Sequence, residues 1–69
     1  MNVEIKVNND TIQITNDKNV LSLLQHLRGE KLNGLAVALN ETVVPRSQWD
    51  KIQIKANDDV LIIQATQGG

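Results

Sequence analysis

A chain of 69 residues, 41% hydrophobic and 22% charged, has the makeup of one ordinary folded domain and no mass to spare for a deep substrate cavity. Its net charge is −1, its basic residues are scattered among acids, and its one aromatic residue is a tryptophan, so the basic stripe and stacking rings of a nucleic-acid surface are missing. Cysteine is absent, which removes disulfides and thiolate chemistry, and no apolar run approaches the ~18 residues of a membrane span.

Met1, Val3, Ile5 and Val7 alternate with Asn2, Glu4 and Lys6, the period of a half-buried strand. Asn8-Asn9-Asp10 supplies turn chemistry, and residues 11–15 alternate again with Ile12 and Ile14 inward. This predicts a β-hairpin. Residues 16–19 break the pattern and offer Asp17 or Asn19 as a helix N-cap. Val20, Leu23, Leu24 and Leu27 then fall at i, i+3, i+4 and i+7, one apolar stripe on a short helix that covers a sheet. Arg28 suits the negative helix end, and Gly29 suits the position after it.

Leu35-Ala36-Val37-Ala38-Leu39 reads as a strand with large residues on one face and alanine on the other. Asn40-Glu41-Thr42 turns the chain into Val43-Val44, which Pro45 ends. An irregular turn is expected over 46–50, a brief alternation at Ile52-Gln53-Ile54, and another turn at Ala56-Asn57-Asp58-Asp59. Val60-Leu61-Ile62-Ile63 has the continuous apolar character of a central strand covered on both faces. Hairpin, crossing helix and late apolar strand together predict an α+β domain of the β-grasp, ubiquitin-like kind: one mixed sheet with one main helix packed across it. The body should span 1–65, with 66–69 a flexible diglycine tail.

The terminal Gly68-Gly69 pair says little alone, since glycine is ~7% of ordinary sequence and such an end arises about once in 200 chains. On a β-grasp body it says more. A carboxylate becomes a good electrophile once its oxygen carries a leaving group such as AMP, and two residues without Cβ are the thinnest backbone that can thread a narrow channel to reach that chemistry. The other candidates have plainer explanations. His26 reads as a surface helix residue, because no Asp, Glu or Cys partners it for a metal. Ser22 and Ser47 lack a base and an orienting acid at motif spacing. Asn9-Asp10-Thr11 and Asn40-Glu41-Thr42 match the glycosylation pattern but read as turns, since Met1-Asn2-Val3-Glu4 has no signal-peptide layout; the cytoplasm is the expected compartment. Asp58-Asp59 lacks the oxygen-rich loop that calcium uses.

Val37-Ala38-Leu39-Asn40 followed by Val43-Val44-Pro45-Arg46-Ser47-Gln48-Trp49, with the last apolar strand and Gly68-Gly69, resembles the ThiS family of thiamin-biosynthesis sulfur carriers over about the whole chain. The chain departs from that pattern at Glu41, where glycine is frequent, at Asn57-Asp58-Asp59, which has no glycine, and over 30–34. The resemblance implies a carrier and not an enzyme. A ThiF-like adenylyltransferase would activate the Gly69 carboxylate, with ATP and Mg²⁺ used by that partner and no cofactor bound here. A persulfide-bearing sulfurtransferase system would convert it to a thiocarboxylate, for delivery to a ThiG-like thiazole synthase. Gly68 would give access. A molybdopterin-type carrier and a ubiquitin-like modifier share the fold and the tail, and stay open as alternatives.

Trp49 is expected to seal one end of the core, and Arg46 stands between a structural place and a partner contact. A two-layer fold also limits what can be covered. With Val60 and Ile62 facing the helix, Leu61 and Ile63 face a side with no second layer, so they should be exposed and are candidates for partner docking.

Overall fold

Alternating β-branched residues near the start give two strands, β1 (Asn2–Val7) and β2 (Asp10–Thr15), in a chain that the computed structural model describes over residues 1–29 and 32–64. The strands pair antiparallel with Val7 opposite Asp10, so only Asn8 and Asn9 make the turn. Both have positive φ, 50° and 73°, which a two-residue hairpin of type I′ requires and asparagine tolerates. The expected turn was one residue too long, because Asp10 already belongs to the ladder.

Asn19 caps helix α1 (Val20–Arg28): its Oδ1 accepts the Ser22 backbone N–H at 2.7 Å and the Ser22 hydroxyl at 2.8 Å. Gly29, at φ 65°, ends the helix with its N–H donating to the Gln25 carbonyl at 2.8 Å. Val20, Leu23 and Leu24 are fully buried, but Leu27 is 37% exposed. Position i+7 points the right way, so its exposure comes from the last turn overrunning the layer beneath. Leu32, in the stretch without a readable pattern, is buried instead.

A second two-residue hairpin joins β3 (Leu35–Leu39) to β4 (Thr42–Val43), with Asn40 and Glu41 at φ 50° and 71°. The expected irregular turn that follows is a 3₁₀ turn, Arg46–Gln48, and it buries Trp49. The indole N–H donates to the Val44 carbonyl at 3.0 Å, while the Trp49 carbonyl accepts the Leu21 N–H at 2.9 Å. Ile52-Gln53-Ile54 forms only an isolated bridge from Gln53 to Asn19. Its backbone is taken up by the helix entrance: the Ile52 carbonyl accepts the Val20 N–H and the Ile54 N–H donates to the Lys18 carbonyl, both at 2.9 Å.

Strand β5 (Asp59–Gln64) lies in the middle of one five-stranded sheet ordered β2-β1-β5-β3-β4. It runs parallel to β1 and antiparallel to β3. Val60 and Ile62 enter the core, whereas Leu61 and Ile63 are 46% and 54% exposed. Burial on both faces, read from the apolar run alone, is therefore corrected; the two-layer count, which left Leu61 and Ile63 uncovered, matches. One mixed sheet under one helix is the β-grasp layout. No helix of the described residues is long and apolar enough to cross a membrane.

Candidate functional site

Strand β5 leads to the C-terminal residues, so the contacts that fix its end fix where they depart. From β1 it receives two backbone bonds, Lys6 N–H to the Asp58 carbonyl and Asn8 N–H to the Val60 carbonyl, both 2.9 Å. The chain then turns away at Asn8, and the Asn8 side chain takes over. Its Oδ1 accepts the Ile62 N–H at 2.7 Å, and its Nδ2 donates to the Ile62 carbonyl at 3.1 Å. An amide offers one acceptor and one donor in a plane, as a peptide unit does, so Asn8 supplies one further rung of the parallel ladder. Across the strand, β3 pairs as far as Leu35 opposite Gln64. Reading Asn8 as turn chemistry missed this second use. Its only sequence trace is an asparagine where a turn would accept glycine or aspartate equally well.

A second asparagine holds the start of β5. The Asn40 N–H donates to the Asp59 carbonyl at 2.8 Å, its Oδ1 accepts the Asp59 N–H at 2.9 Å, and its Nδ2 donates to Asp58 Oδ1 at 3.0 Å. Asp58 Oδ2 accepts the Lys55 N–H at 2.7 Å, closing a turn that contains Asn57 at φ 69°. The Asp58 carboxylate thus serves the turn. Among the described residues no group of three or more His, Cys, Asp or Glu could hold a metal ion.

The outward face of the sheet divides in two. On β1 and β2 it carries Glu4, Lys6, Thr11 and Gln13. On β5, β3 and β4 it carries Leu61, Ile63, Ala36, Ala38 and Val43, with Val43 72% exposed. Register makes these neighbours: Ala38 is opposite Leu61, Ala36 opposite Ile63, and Val43 opposite Ala38. Leu61 and Ile63 are legible from the strand period. Val43 is not, since β4 has two residues and no period to read.

Arg46 lies on a different element, the 3₁₀ turn, with its guanidinium carbon 5.5 Å from the Trp49 ring centroid. Trp49 is a buried plug, as expected. His26 is exposed on the helix, Ser47 is exposed on the 3₁₀ turn, and Ser22 is engaged by the Asn19 cap. Gly68, Gly69 and the expected flexible tail over 66–69 lie outside the described residues.

The ThiS family model matches residues 3–69. The sulfur carrier protein ThiS of Escherichia coli (strain K12) is 31% identical over 67 residues, covering 97% of this chain and all 100% of that protein. The crystal structure of the thiamine biosynthesis protein ThiS from Geobacter metallireducens superposes with a TM-score of 0.84 at 26% identity, covering 97% of this chain and 100% of that one. A solution structure of a thiamine biosynthesis protein from the same organism gives 0.78 at 28% identity, covering 97% and 88%. With a diglycine end, a β-grasp body and a family match from Val3 to the last residue, the chain belongs to the ThiS family.

Proposed function

We propose that the Gly69 carboxylate is where this chain carries sulfur, and that the apolar half of its sheet is where partners hold it. As a ThiS-family member it is a sulfur carrier protein of thiamin biosynthesis and not an enzyme. One observation carries the siting of function: the strand that presents Leu61 and Ile63 is the strand that leads to Gly68-Gly69. A partner seated on that face is already beside the root of the tail.

The chemistry required is acyl activation. The carboxylate of Gly69 attacks the α-phosphorus of ATP in an adenylyltransferase, forming an acyl-adenylate with loss of pyrophosphate. Mg²⁺ on the phosphates belongs to that partner. The terminal sulfur of a sulfurtransferase persulfide then displaces AMP to give an acyl disulfide. A second thiol of the donor system attacks the donor-side sulfur, forming a disulfide there and releasing the thiocarboxylate at Gly69, which is delivered to a thiazole synthase. Dependence on ATP favours the cytoplasm as the compartment. Gly68 supplies a step of backbone without Cβ, so the chain can enter a narrow channel.

Deleting Gly69, or making Gly68→Val, should abolish thiocarboxylate formation with the adenylating and sulfur-donating enzymes of the same organism. Melting temperature should stay within about 3 °C, because a glycine has no side chain to lend a core. Intact mass reads the exchange of sulfur for oxygen. Loading of the chain that ends at Gly68 would sink the assignment.

Partner docking on the sheet face predicts that Leu61→Glu with Ile63→Glu leaves a folded monomer, since both side chains are about half exposed. Affinity for the adenylating enzyme and for the thiazole synthase should each fall at least tenfold, because carboxylates would be desolvated against apolar surface. The same face cannot hold both at once, so the two should compete. Unchanged calorimetric affinities, or a ternary one-to-one-to-one complex, would refute shared docking. Arg46, on the separate 3₁₀ turn, is a second contact candidate; Arg46→Ala should weaken binding less than the double change.

A further inference from the structure

We infer that Asn8 is a positioning residue: its side-chain amide steadies the last stretch of β5, from which the chain continues to Gly69, and so governs how fast the Gly69 carboxylate is activated. This rests on the reading of Gly69 as the reacting group. The turn itself does not need the amide. Asn9 occupies the same kind of backbone position, at φ 73°, and makes no side-chain hydrogen bond among the described residues. Asn8, at φ 50°, spends both of its amide atoms on Ile62. Glycine or aspartate would satisfy the turn. Only asparagine supplies an acceptor for the Ile62 N–H and a donor for its carbonyl at that reach.

Geometry explains why this bond matters more than others. Up to Ile62, strand β5 has a neighbour on each side; past the Asn8 amide it is held by β3 alone. A two-stranded ribbon twists and swings more than the middle of a wider sheet. Gly69 is seven residues beyond Ile62, a reach of at most ~25 Å for extended chain. With the body docked, every freedom at the root adds to the volume the carboxylate must search, whereas reacting atoms must meet within about an ångström of their productive separation. The amide removes that freedom at its source.

Asn8→Gly keeps the left-handed turn and deletes both bonds. Hydrogen exchange should quicken roughly tenfold at the Ile62 amide and stay unchanged at Leu23 in the helix, which reports the body as a whole. ATP–pyrophosphate exchange by the adenylating enzyme at saturating carrier should fall about tenfold in kcat, while the calorimetric Kd for that enzyme holds. Asn8→Asp keeps the acceptor and loses the donor, so it should fall between wild type and Asn8→Gly on both readouts. Full kcat in Asn8→Gly despite faster Ile62 exchange overturns the proposal, and so does unchanged Ile62 exchange. A weaker Kd with full kcat also overturns it, by making Asn8 a docking contact. The Gly69-deleted chain separates the two levels. If that chain is still activated, the underlying reading fails; if it is inert while Asn8→Gly is fully active, only the role of Asn8 fails.

Discussion

Glu41 stands at φ 71°, a left-handed position that costs a residue with a Cβ and no local side-chain bond roughly 1–2 kcal/mol. Its neighbour Asn40, at φ 50°, offsets its own cost by binding Asp58 and Asp59 through the side chain. Glu41 has no such compensation among the described residues. Glu41→Gly should therefore stabilise the fold, by about 0.5–1 kcal/mol once the added freedom of the unfolded chain is subtracted. For a domain this small that is a rise of ~2–8 °C in melting temperature, measurable by circular dichroism. A fall would mean that the carboxylate makes a contact of its own. Asn40 itself should resist change, because alanine there would release the Asp59 N–H and the Asp58 carboxylate together.

The elements owe their places to a few such residues, and Trp49 anchors the least regular of them. It closes the stretch between β4 and β5, where regular backbone pairing is sparse, by filling the core and bonding to Val44 and Leu21. Trp49→Ala should cost about 3–5 kcal/mol, a large part of the stability of a small domain, and leave the chain substantially unfolded at 37 °C. Arg46→Ala removes only a cation resting on the ring and should cost under ~1 kcal/mol. Equal losses from both changes would give Arg46 a structural weight its exposure does not suggest. The hairpin and the helix were legible because each repeats its period, and β5 because its apolar run is unbroken, although that run hid which face lies open. Between Pro45 and Ile54 the irregular turn and the burial of Trp49 were legible, but the alternation at Ile52-Gln53-Ile54 was not a strand, because those residues are placed by single bonds to the helix entrance. Leu27 was misread for a related reason: period reports direction, not where the layer beneath ends. The docking candidates on β5 followed from counting layers, and Asn8 escaped because its purpose lies 54 positions away at Ile62.

Across the whole molecule, the first and last strands lie side by side in the sheet, with the rest of the chain between them in sequence. The last strand is also the central one, so no earlier fragment contains a complete core. A chain ending at Asp58 lacks Val60 and Ile62 and leaves β1 and β3 without their shared neighbour. It should be unfolded by circular dichroism and amide dispersion, and should fold only when residues 59–64 are restored, covalently or as an added peptide. Cooperative folding of the 1–58 fragment alone would contradict the central place of β5.

That same parallel pairing determines how the protein answers a pull. A partner drawing the C-terminal end away while the N-terminal strand is held loads β1 and β5 along their lengths in opposite directions. The bonds between them, from Lys6, from the Asn8 backbone and from the Asn8 amide, lie across that load and must yield together, not one after another as in a zipper. The body is therefore stiff to a pull along β5: such a load meets several bonds at once before the strand that carries Leu61 and Ile63 can leave the sheet.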